Sequence, residues 1–143
     1  MNKSAGIIII LNKSKVFLCH SSNSIFSSTY SFPKGGIEKE EKKIDAAIRE
    51  LFEETSVVVS KSQITNPKNP IMISYLNKKG FNYKRVYLYA VYIDDISEIG
   101  LNSEVIPLKQ LQITEVDWAG FLTKEESEPK IFHRVKHLLD LIV

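Results

Sequence analysis

The sequence predicts an α/β fold, a sheet covered by helices, on three observations. Short runs rich in β-branched and aromatic residues, bounded by turn residues, recur along the chain. Two other stretches, Ile44–Leu51 and Ile131–Ile142, carry apolar residues at helical spacing instead. Strands fall both before and between these helical stretches, an order that calls for helices packed on the faces of a sheet. The 143 residues are expected to form one domain over 1–143.

In chain order, Ala5 to Leu11 is a β-branched strand, and Lys15 to Cys19 returns after an Asn-Lys-Ser turn as the second arm of a hairpin. Ser21 to Tyr30 is serine-rich and reads as a loop. A turn-forming run, Tyr30-Ser31-Phe32-Pro33-Lys34-Gly35-Gly36, leads into the first helix, so that loop and helix together occupy about 33–55. Val57 to Val59 is long enough for a short strand. Ile71 to Leu76 and Arg85 to Ile93 are strands on either side of the turn Asn77-Lys78-Lys79-Gly80. Ile113 to Phe121 carries further apolar residues and the only tryptophan, Trp118. Thr123 and Glu126 make a capping box that opens a short helix, which Pro129 interrupts. Ile131, Val135, Leu138, Leu139 and Ile142 then repeat at helical spacing to the end.

The first helix carries the chemistry. Glu50, Glu53 and Glu54 stand three and four apart, so an α-helix places them on one face. Ile44, Ala47, Ile48 and Leu51 form a second, core-facing stripe roughly a quarter to a third of a turn away. The acids therefore line the edge of a cleft. Three crowded carboxylates repel unless a cation joins them, and a hard divalent ion with oxygen ligands resolves the repulsion while bridging to substrate phosphates. Arg49, four residues before Glu53, is at ion-pair spacing and is expected to orient that glutamate. The neighbouring run Glu38-Lys39-Glu40-Glu41-Lys42-Lys43 reads mostly as solvated helix surface.

From Gly35, five residues intervene before Glu41 and seven more before Arg49, followed by Glu50, Leu51, Phe52, Glu53, Glu54, Thr55, Ser56 and Val57. This resembles the Nudix box, G-x5-E-x7-R-E-apolar-x-E-E-x-G-apolar, at eight of nine specified positions. Average residue usage would give those eight matches on the order of once in 10⁸ registers, although a charge-rich helix raises the odds. The departure is Ser56, where the family has glycine to end the helix in a left-handed conformation. It removes no metal ligand.

The resemblance implies the Nudix α/β/α sandwich with a central mixed sheet, the box helix on one face and the C-terminal helix on the other. It implies water attack on phosphorus in a diphosphate linked to another group, with Mg²⁺ (or Mn²⁺ in its place) as cofactor. The implied metal site comprises Glu50, Glu53 and Glu54 with the box loop at Lys34 and Gly35, the carbonyl of the residue before the box glycine being the loop ligand. Glu41 takes a metal-binding or structural role at the loop–helix junction. The implied catalytic set is Glu50, Glu53, Glu54, Arg49 and Glu115; the general base is open among Glu50, Glu104 and Glu115.

Candidate substrate contacts are Lys34, Lys84, Arg85, Tyr83 and His20, with Phe81 as a further stacking partner for a base. Lys84 and Arg85 together would clamp terminal phosphates. The alternating tyrosines of Tyr83 to Tyr92 read chiefly as one face of a sheet. His133 and His137 have the i, i+4 spacing of a metal pair, but the amphipathic pattern around them reads as helix surface. The loop is similar to those of Nudix hydrolases of dinucleoside polyphosphates, diphosphoinositols and RNA 5′ ends. A dinucleoside polyphosphate or nucleoside triphosphate leads; diphosphoinositols, nucleotide sugars, RNA 5′ ends and a non-catalytic nucleotide-binding role remain alternatives.

A net charge of +2 argues for neither nucleic-acid nor membrane attraction. Apolar and charged fractions of 43% and 25% are those of a soluble globular protein. No stretch reaches transmembrane length, and the single Cys19, which permits no intrachain disulfide, fits a reducing cytoplasm. The expected partner is a small phosphoanhydride, and the chain is a monomer or homodimer.

Overall fold

The computed structural model describes residues 1–22 and 29–142. Most of the expected serine-rich loop, residues 23–28, lies outside them. The strands are β1 Asn2–Leu11, β2 Lys15–Ser21, β3 Tyr30–Ser31, β4 Lys34–Gly36, β5 Ile64–Thr65, β6 Ile71–Leu76, β7 Asn82–Ile93 and β8 Val116–Thr123. They form one eight-stranded sheet in the order β3-β2-β1-β7-β5, with β4 also on β1, β6 on β7 and β8 on β2. β1 and β7 run parallel and the other named pairs antiparallel, so the sheet is mixed as expected.

Continuous hydrophobicity explains the central position of β1. Ile7, Ile8, Ile9 and Ile10 are all buried, which requires cover on both faces. Alternation divides them. Ile7 and Ile9 pack with Leu51, Val57 and Tyr89 beneath helix α1, Lys43–Thr55. Ile8 and Ile10 pack with Leu18, Leu88, Val135 and Leu139 on the other face. The β1–β2 hairpin turns through Asn12 and Lys13, both at positive φ, whose backbone matches the twist of the flanking strands.

Two elements differ from expectation. Val57 to Val59 forms no strand: Val57 and Val59 are buried and Val58 exposed, an extended alternation that pairs with no neighbour. The C-terminal helical segment, His133–Leu141, is a 3₁₀ helix. Three residues per turn bring Phe132, Val135, Leu138 and Leu141 into one row, and all four pack on the second core. Helix α2, Lys124–Ser127, opens on the expected capping box, with the Thr123 hydroxyl accepting from the Glu126 N–H.

Candidate active site

Strand pairing delivers the box loop to the box helix. β4 lies antiparallel to β1 in the register Ala5 opposite Gly35 and Gly6 opposite Lys34. The Ile7 N–H bonds to the Pro33 carbonyl and the Ile37 N–H to the Lys3 carbonyl. In an antiparallel ladder the bonded pairs alternate, so the backbone groups of Gly35 turn toward β1 while those of Lys34 and Gly36 turn outward, toward α1. The Lys34 N–H donates to Glu54 Oε1 at 3.1 Å, and the Gly36 carbonyl accepts from Arg49 Nη2 at 2.9 Å. The Lys34 carbonyl shares that outward edge. Gly35 does not: its carbonyl belongs to the ladder, which corrects its expected place among the metal ligands. A Cβ there would displace the carboxylate of Glu50 from its place beside the loop.

Arg49 organises more than the single glutamate expected of it. Its Nε and Nη2 bond to both oxygens of Glu41 at 2.8 and 2.9 Å, and Nη1 reaches Glu50 at 2.9 Å and Glu53 at 3.1 Å. Hydrogen bonds to Glu41 first, and then to Glu50, hold the guanidinium protonated against its burial. Glu41 also caps the loop by accepting from the Glu38 N–H, and the Arg49 bonds hold its pKa low.

Glu54 is different. It is buried, its carboxylate accepts from the Lys34 N–H, and its pKa is pushed up to about 8, by burial first and then by the charge of Glu50. Burial also raises Glu50, against the pull of Arg49. The charge of Glu115 adds the last and smallest repulsion to both carboxyls. Glu104 instead bonds to Lys15 Nζ at 2.8 Å, by a cavity lined by Leu11 and Asp94 at the other end of β1; that pairing removes it from the general-base candidates.

A divalent cation fits this donor set. A buried carboxyl crowded by two others, beside an outward carbonyl, is chemistry that hard cations stabilise. Among the described residues, no three His, Cys, Asp or Glu side chains are already gathered as a metal site. Glu50 and Glu53 are turned to Arg49 instead.

The substrate candidates divide by strand register. Lys84 and Arg85 are consecutive in β7, so they project to opposite faces and do not form the expected joint clamp. Lys84 lies with the second core, 5.4 Å from the Tyr75 ring centroid, and its charge helps to lower the pKa of half-buried Lys34, after burial itself. Tyr83 packs edge-on to Tyr75 at 6.3 Å, and Phe81 projects into solvent. His20, in β2 between β3 and β8, packs tilted against Tyr30 at 4.7 Å with Nδ1 2.6 Å from Asp117. A cavity of about 630 Å³ opens beside Gly36, with Lys3 and Lys84 in its lining. His133 and His137 are no metal pair: in a 3₁₀ helix, residues four apart point roughly 120° from each other. Sequence reasoning missed Tyr75 and Arg134. Tyr75 was readable as the inward continuation of Ile71 and Ile73; Arg134 carried no signal, because its direction depends on the 3₁₀ geometry.

The NUDIX domain family matches residues 1–135. The chain belongs to the Nudix family. Its fold is that of an Ap4A hydrolase from C. elegans, with a TM-score of 0.65 at 21% identity over 99% of this chain and 94% of that one. A MutT NUDIX hydrolase from Burkholderia pseudomallei superposes with a TM-score of 0.70 at 11% identity, covering 99% and 98%. At those identities the likeness is one of fold. In sequence, the Nudix chain is 32% identical over 93 residues to an Acanthamoeba polyphaga mimivirus protein named as a candidate mRNA-decapping protein. The match covers 64% of this chain and 24% of that protein, about a quarter of its length. Among the described residues, no helix is long and apolar enough to cross a membrane.

Proposed function

We propose that this Nudix chain is a metal-dependent pyrophosphohydrolase that cleaves a diphosphate linkage by water attack at phosphorus, acting on a dinucleoside polyphosphate or a nucleoside triphosphate. The observation that carries the reading is Glu54, a buried carboxyl hydrogen-bonded to the backbone of Lys34 and pressed to a pKa of about 8 beside Glu50. A buried, crowded carboxyl at the mouth of a loop is costly as structure and useful as a ligand.

Glu53, Glu54 and the Lys34 carbonyl would hold Mg²⁺. When bound, the cation supplies charge neutralisation along the phosphates and a lower pKa for the attacking water. Glu50 accepts the proton of that water, its basicity raised by burial and limited by Arg49. Glu115, whose charge reaches the same cluster, is the second candidate for that role. Arg49 fixes where the carboxylates stand, and the half-buried Lys34 holds phosphate oxygens.

The test is product analysis of the wild type and Glu53→Gln with Mg²⁺, across nucleoside triphosphates, dinucleoside polyphosphates, ADP-ribose, diphosphoinositols and capped RNA. Turnover of one class, lost in the variant, supports the hydrolase and names its substrate; binding without turnover favours a nucleotide sensor. A second reading, RNA 5′-end hydrolysis, is favoured by the decapping name of the mimivirus relative. It predicts that capped RNA is the substrate turned over.

A further inference from the structure

On the sheet face opposite the box helix, two cations flank one buried tyrosine. Tyr75 is 5% exposed, and its hydroxyl has no hydrogen-bond partner among the described residues. Buried hydroxyls are ordinarily paired, so an orphan one calls for an explanation. Lys84 Nζ stands 5.4 Å from the centroid of the Tyr75 ring, and the Arg134 guanidinium carbon 5.0 Å from it. Lys34, whose backbone reaches Glu54, feels the charge of Lys84. Among the described residues, no ion pair joins Lys34, Lys84 or Arg134 to a carboxylate. Like charges repel in the absence of an anion, and phosphate oxygens accept from ammonium, guanidinium and phenol alike.

We propose that Lys84, Arg134 and the Tyr75 hydroxyl bind a distal phosphate of the substrate, so that the protein selects chains of three or more phosphates over simple diphosphates. This deepens the hydrolase reading and rests on it for where the chain begins, at Glu54 and Lys34. From there the phosphates pass Lys34 to Lys84 and end under Arg134. Arg134 supplies the planar fork of donors, and Tyr75 finds the acceptor its burial otherwise denies it. Arg134 and Tyr75 act on affinity for chain length and touch no reacting atom.

The test uses inorganic tripolyphosphate and pyrophosphate titrated calorimetrically without divalent metal into the wild type, Arg134→Ala, Arg134→Lys, Tyr75→Phe and Lys13→Ala. Lys13 removes the same charge from the hairpin at the other end of β1. The expected result is tighter binding of tripolyphosphate than pyrophosphate in the wild type. Arg134→Ala then weakens tripolyphosphate about tenfold and Tyr75→Phe a few-fold, Arg134→Lys restores part, and Lys13→Ala changes nothing. Equal loss in Arg134→Ala and Lys13→Ala, or no preference for the longer chain, overturns the site. In Mg²⁺ assays, Arg134→Ala raises KM for dinucleoside polyphosphates more than for ADP-ribose, with kcat kept. Loss of tripolyphosphate binding in Arg134→Ala, with no turnover of any substrate by the wild type, leaves the site standing and removes the hydrolase reading. Far tighter binding of 5′-triphosphate RNA than of tripolyphosphate would assign the site to nucleic acid and overturn the small-molecule commitment.

Discussion

The two faces of the sheet carry opposite chemistry at the box-loop end. On the α1 face stand Glu41 of the box loop and Glu50, Glu53 and Glu54 of the helix, gathered by one arginine and one backbone N–H. On the other face Lys84 and Arg134 flank the ring of Tyr75. Lys34 belongs to both, its N–H on Glu54 and its ammonium near Lys84. In the proposed roles, acids that would hold a cation and cations that would hold phosphate stand on separate surfaces, where they do not cancel one another as ion pairs, and Lys34 links the two. The comparison teaches that the acidic face should govern the rate of the reaction and the basic face the affinity and choice of substrate.

The sharpest way to break that division is to neutralise each face in turn. Glu53→Gln or Glu54→Gln is expected to lower kcat with Mg²⁺ by roughly 10²- to 10³-fold, the scale of losing one preorganised electrostatic group at a reacting centre. Lys84→Ala is expected to raise KM and leave kcat within a few-fold. Steady-state kinetics on the best substrate measure both. A kcat loss in Lys84→Ala as large as that in Glu54→Gln would erase the distinction between the faces.

The difference between the faces also explains what was readable beforehand. Glu50, Glu53 and Glu54 share a face because of helical spacing alone, a rule local to five residues. The buried residues Ile131, Val135, Leu138, Leu139 and Ile142 of the C-terminal segment followed equally from periodicity. The basic site joins β4, β7, β6 and a 3₁₀ helix, and its members meet only through the register Gly6 opposite Lys34 and Tyr75 opposite Lys84. No local pattern encodes such a register. Lys84 and Arg85 show the same lesson in reverse: neighbours in sequence, they were paired as a clamp until strand alternation separated them. Val57 to Val59 had a strand's composition and found no partner edge, because the chain there is leaving the end of α1.

A second contrast lies within the acidic face, between Glu54, raised to about 8, and Glu41, held low by Arg49. For a carboxyl whose folded pKa exceeds its unfolded value, the folded state retains a proton the unfolded state has released. Stability contributed by this group is therefore full below about pH 4.5 and falls as pH rises toward 8. Metal-free protein is expected to lose about 2–4 kcal/mol from this group across that window. Urea unfolding at pH 5, 6.5 and 8 measures it. Glu54→Gln is expected to flatten the curve, and Mg²⁺ to stabilise the wild type most at pH 8. A wild type equally stable at pH 5 and 8, without metal, would show that burial of Glu54 is relieved by some other means.

Arg49 tests whether the acidic face is one unit. Arg49→Ala leaves Glu41, Glu50 and Glu53 repelling one another and the Gly36 carbonyl without its donor. Because the cluster is partly solvated, the expected loss is about 1–3 kcal/mol of stability, accompanied by a fall in kcat. Arg49→Lys should recover little of either, since an ammonium has too few donors, in the wrong plane, to serve three carboxylates and a carbonyl. Full rescue by lysine would reduce Arg49 to a point charge.

Ser56 gives the smallest effect and the finest test, at the exit of the helix that carries the acids. Its backbone adopts φ 65°, the left-handed conformation for which the box reserves glycine, and its N–H bonds to the Phe52 carbonyl. The side chain meets the conformational cost with a hydrogen bond, Oγ to the Gln110 carbonyl at 2.7 Å, tying the helix end to the segment that leads to Glu115. Ser56→Gly removes a strain of about 1 kcal/mol and a hydrogen bond of similar worth, so stability should stay within about 0.5 kcal/mol of the wild type. Ser56→Ala keeps the strain and loses the bond, and should cost about 1–2 kcal/mol in urea unfolding. A clearly stabilised glycine variant would mean that the Gln110 contact contributes nothing. An alanine variant as stable as the wild type would carry the same meaning, and the serine would then be a strained replacement with no compensation.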